Sequence, residues 1–78
     1  MTRLPRDVDY KCLDKILRRL GWKPIRQRGS HVIYKHIVSK GIVVVPKYRE
    51  YSPNILLSIL AQASIDRNKF LELYEELC

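Results

Sequence analysis

Long apolar runs are missing from this chain; none approaches the roughly 20 residues that span a bilayer. That excludes a membrane-spanning helix. The opening segment, Met1-Thr2-Arg3-Leu4-Pro5-Arg6, has no apolar core of the secretory kind. Cysteine is scarce. Cys12 and Cys78 have no metal-ligand spacing, and a lone pair makes a weak disulfide framework. The reading is a cytoplasmic protein, not attached to a membrane, with both thiols reduced. Carboxylates do not cluster, so no metal site and no cofactor are expected. Repeats, low-complexity tracts and linkers are also lacking. With 78 residues, 46% of them hydrophobic, the chain reads as one small domain over residues 1–78.

Negative charge is nearly absent from the middle of the chain. Residues 11–49 hold eleven Lys or Arg and one acid, Asp14. Residues 50–78 hold two basic residues and five acids, and the formal net charge is +7. A strongly positive segment beside a mildly negative tail suits a protein that meets a polyanion through one face.

Local patterns give an element order. Asp9 is a helix N-cap, because its carboxylate can accept from free backbone N–H groups. Leu13, Ile16, Leu17 and Leu20 follow at helical spacing, and Gly21 sits where a helix end turns left-handed. Trp22 to Arg28, His31 to Val38 and Ile42 to Val45 read as strands joined by Gly29-Ser30 and Ser39-Lys40-Gly41. Pro24 cannot donate to a ladder and puts the first strand at an edge. Ser52-Pro53 starts a helix with the stripe Leu56, Ile59, Leu60 and Ala63. Asp66 caps a last helix with the stripe Phe70, Leu71, Tyr74 and Leu77. The result is an α+β domain of order α-β-β-β-α with an extra C-terminal helix. Its three-stranded antiparallel sheet is packed on one face by helices.

Arg26-Gln27-Arg28-Gly29-Ser30-His31 carries the chemistry. A histidine titrates near neutral pH and can take and return a proton. Gly29 lets the backbone turn and approach a ligand closely. Ser30 adds a hydroxyl, and the arginines offer forks for phosphate. Period-two alternation puts Arg26 and Arg28 on one face and Lys35 on the face of His31. Lys47 and Arg49 extend the basic track. His36 falls on the opposite face from His31 and reads as structural or surface. Trp22 and Tyr34 read as core, whereas Tyr48 and Tyr51, in a loop, could stack unpaired bases.

With these residues in place, the chain resembles the HicA (YcfA-like) toxins of type II toxin–antitoxin systems. The likeness lies in Leu4-Pro5-Arg6-Asp7, Leu20-Gly21-Trp22, the segment from Arg26 to His31, Val43-Val44-Val45-Pro46, and Ser58-Ile59-Leu60 with Ala63. It spans about residues 4–70. The resemblance implies a double-stranded-RNA-binding-domain-like fold. It implies a ribosome-independent endoribonuclease, an mRNA interferase, neutralised by a HicB-like antitoxin. His31 would be catalytic. Arg26, Arg28, Gly29, Ser30, Lys35, Lys47 and Tyr48 would bind single-stranded regions of mRNA. Two positions depart from the pattern. Tyr48 stands where many relatives carry histidine, and Asn54-Ile55 where many carry Gly-Thr. RNA brings its own nucleophile, the 2′-hydroxyl, so a positioned histidine with positive neighbours is sufficient for metal-independent cleavage. Two other readings of the same residues are a non-catalytic RNA-binding domain and a positive face that docks an acidic protein.

Overall fold

The computed structural model describes residues 4–78; Met1, Thr2 and Arg3 of the opening segment lie outside them. Helix α1 (Tyr10–Arg19) begins where Asp9, in extended conformation, accepts from the Cys12 amide. Leu13, Ile16 and Leu17 are fully buried, each contributing about 1.5–3 kcal/mol of apolar burial. The helix stops at Gly21, whose φ of +93° turns the chain toward the sheet.

The sheet is an antiparallel meander of β1 (Trp22–Arg28), β2 (His31–His36) and β3 (Ile42–Pro46), in the order β1-β2-β3. The register slips between Pro24 and Arg26, so Ile25 bulges outward and stays exposed. Strand β2 ends two residues before the expected Val38. The cause is the His36 ring, whose Nδ1 accepts from the amides of Val38 and Ser39 and pulls the chain into a turn.

Helix α2 (Pro53–Gln62) carries its expected stripe, with the Ser52 hydroxyl accepting from the Ile55 amide. Helix α3 (Arg67–Leu77) departs from its reading in two respects. Asp66 sits at the N-cap position without a side-chain capping bond. The buried residues of α3 are Phe70 and Leu73, while Leu71, Tyr74 and Leu77 are half-buried. Contact with α1 along its flank rotates the stripe. Tyr74 donates to Asp7, ahead of α1, at 2.7 Å, and Arg19 of α1 pairs with Glu76 at 2.8 Å.

One core joins the helices to the inner sheet face, where Trp22, Val32, Tyr34, Val43 and Val45 are buried. Val8, just before the cap of α1, is fully buried too, a contribution the helical periodicity did not indicate. The cysteines overturn the reduced-thiol expectation. Cys12, in the first turn of α1, is bonded to Cys78, with Cα atoms 5.6 Å apart. Packing of α3 on α1 brings the chain end to that turn, which no spacing in the sequence encodes.

Candidate functional site

The outer sheet face carries His31, Arg26, Arg28 and Lys35 of the expected site residues. Cross-strand register sets its residues in three rows: Arg28, His31 and Pro46; Arg26, Ile33 and Val44; Lys23, Lys35 and Ile42. His31 opens the central strand and is exposed, with Arg28 directly opposite. Arg26 lies one row further on, across from Ile33, and Lys35 in the third row. The alternation read from the sequence therefore holds for Arg26, Arg28, His31 and Lys35.

The turn feeding His31 is held from two sides. Gly29 adopts φ +56°, and a Cβ there would meet nothing within 4 Å, so glycine serves the backbone angle rather than internal packing. Gln27 Nε2 donates to the Gly29 carbonyl at 2.9 Å, a restraint the sequence did not advertise. The Lys47 amide donates to the Ser30 carbonyl at 2.7 Å, tying the end of β3 to the histidine turn.

That bond divides the expected RNA contacts into two groups. The Lys47 ammonium lies 5.3 Å from the centre of the Tyr10 ring, on the helix side of the sheet end. Tyr48 follows it and is 41% exposed, free to touch a ligand. Tyr51 is buried, its hydroxyl donating to the Pro46 carbonyl and its pKa pushed up to about 12 by burial. It is a buttress for Tyr48, 5.7 Å away, and not the exposed stacking residue expected. Nothing in the sequence marks Tyr10 and Lys11, because the first turn of α1 reads as ordinary helix.

A polar chain stiffens the underside of β2. Tyr34 donates to Asp14 at 2.5 Å and shares a 2.7 Å bond with Tyr10, while Asp14 also holds Arg18. Burial first, and then the bond to Asp14, pushes the Tyr34 pKa well above the usual tyrosine range.

His36 is distant from this chemistry and structural, as expected. Since its Nδ1 accepts from two amides, Nε2 carries the proton and donates to the Leu20 carbonyl at 2.8 Å. Its ring packs edge-on to Trp22. Among the described residues the ion pairs lie on α1 and α3, and none involves Arg26, Arg28, Lys35 or Lys47. The outer face thus presents uncompensated positive charge around one imidazole. Among the described residues no three His, Cys, Asp or Glu side chains gather as a metal cage.

The model of the HicA toxin family, described as the HicA toxin of bacterial toxin–antitoxin, matches residues 10–65. That is well over half of the chain, from α1 through α2, and it includes the whole sheet. The chain belongs to the HicA toxin family. A comparison with curated proteins gives no match. Membership makes the chain the toxin of a toxin–antitoxin pair, with an antitoxin as its partner. Helix α3 and the disulfide partner Cys78 lie beyond the matched segment. Among the described residues no helix is long and apolar enough to cross a membrane.

Proposed function

We propose that this HicA toxin is a metal-independent endoribonuclease that cuts messenger RNA and is neutralised by a HicB-like antitoxin. The observation carrying this reading is the exposed His31, opposite Arg28 on a sheet face where no charge is paired among the described residues, inside the family-matched segment. The ribose 2′-oxygen attacks the adjacent phosphorus as its proton leaves. The bond from phosphorus to the 5′-oxygen then breaks, and that oxygen takes up a proton. The products are a 2′,3′-cyclic phosphate and a 5′-hydroxyl. His31 serves one of the two proton transfers, and such general acid–base help is worth about 10²–10⁴-fold. Arg28, with Arg26 behind it, stabilises the charge of the phosphorane. Lys35 holds the strand further along, and Ser30 lines the turn where the phosphate sits.

The test compares one single-stranded RNA with its all-deoxy counterpart, each incubated with the protein in EDTA. The expected result is cleavage of the RNA, undiminished by the chelator, with cyclic phosphate ends and an intact DNA strand. Loss of cutting in EDTA, or cleavage of the deoxy strand, contradicts the proposal.

A further inference from the structure

A groove of about 480 Å³ opens at the end of the sheet nearest the histidine turn, between the first turn of α1 and the loop after β3. Asp9, Tyr10, Lys11, Lys47, Tyr48 and Arg49 line it. Its walls are fixed before any ligand arrives. The Tyr10 amide donates to the Tyr48 carbonyl at 3.0 Å, closing the loop onto the helix. The Tyr10 hydroxyl is held by Tyr34, and the Tyr48 ring rests against the buried Tyr51. Three cations face this groove, and among the described residues none of them is in an ion pair. The one acid, Asp9, is engaged in accepting from the Cys12 amide. Charge, a half-exposed aromatic ring and preformed walls together are the composition of a single-strand nucleotide site.

Its position gives it a role. The bond from the Lys47 amide to the Ser30 carbonyl places the groove one residue from the turn that presents His31. An RNA strand leaving the outer face at His31 reaches it by passing over the end of β3. We infer that this groove is a nucleotide subsite for the RNA residue flanking the scissile phosphate. The base stacks on Tyr48, and Lys47, Arg49 and Lys11 hold the neighbouring phosphate. This rests on the ribonuclease reading above; it adds Lys11 to the substrate path and gives Arg49, already on the basic track, a phosphate to hold.

The test uses the full chain with His31→Ala, to prevent cutting, and a fluorescein-labelled ten-nucleotide single-stranded RNA of mixed sequence. Adding Tyr48→Ala is expected to weaken binding about tenfold, the weight of one stacked base, and Tyr48→Trp to restore it. Lys47→Gln and Arg49→Gln are each expected to lower the slope of log affinity against log salt by about 0.7. Lys40→Gln, at the opposite end of the sheet, is expected to leave that slope unchanged. RNA binding that ignores Tyr48→Ala, or that responds equally to Lys40→Gln, overturns the subsite and leaves the ribonuclease reading intact. Failure of the His31→Ala chain to bind RNA, together with failure of the wild type to cut it, overturns both.

Discussion

The Tyr34 hydroxyl lies beneath β2, donating to Asp14 and accepting from Tyr10. Ionising it would bury a phenolate beside the partly exposed Asp14 carboxylate, so the folded chain holds this proton far more tightly than the unfolded chain. Tyr51, pushed up to about 12, acts the same way. The sign follows from linkage: the stability is complete below the ordinary tyrosine value of about 10 and is lost as pH rises above it. Thermal melts from about pH 9 to about pH 12, spanning the ordinary tyrosine value, are expected to show a falling midpoint. Tyr34→Phe removes the shared hydroxyl and is expected to cost about 1–3 kcal/mol at neutral pH, leaving the Asp14 carboxylate short of a donor. It should also flatten the alkaline decline; an unchanged slope would show that Tyr34 does not govern it.

At the scale of elements, two glycines with positive φ separate backbone need from packing need. At Gly21, with φ +93°, a Cβ would meet His36 Nε2 at 2.8 Å, and that nitrogen is bonded to the Leu20 carbonyl. At Gly29 the space is open. Gly21→Ala is therefore expected to destabilise by about 2–3 kcal/mol, and Gly29→Ala by about 1 kcal/mol. Urea unfolding of the two variants checks the order, which equal losses would contradict. The strands, the caps at Asp9 and Ser52, and the shared face of His31 and Lys35 were legible because each follows from short-range periodicity or turn chemistry. The groove beside Lys47 was not legible, because Tyr10 and Tyr48 are brought together by packing between distant segments. Nor was the end of β2, which a side chain decides: His36 caps its own turn. Tyr51 is the loop residue expected, but its burial was not legible because it depends on where Pro46 ends the sheet.

Across the whole molecule, positive charge gathers on the outer sheet face and its His31 end, while Glu72, Glu75 and Glu76 sit on α3 behind α1. The Cys12–Cys78 bond fastens that helix across a sequence separation of 66 residues. A cross-link closing so long a loop contributes about 2–4 kcal/mol, chiefly by restricting the unfolded chain. The core is already closed by Phe70 and Leu73. Cys12→Ser with Cys78→Ser is therefore expected to lower stability by about that amount while leaving the circular dichroism spectrum unchanged. Collapse of the fold in the double variant would mean that α3 is held by the bond rather than by packing.

The central claim is that the imidazole of His31 moves a proton during strand scission. It is tested most directly by measuring single-turnover cleavage and affinity for the same RNA in wild type and His31→Ala. The expected result is cleavage slowed by roughly 10²–10⁴-fold with RNA affinity essentially unchanged. Cleavage by His31→Ala at the wild-type rate would contradict it.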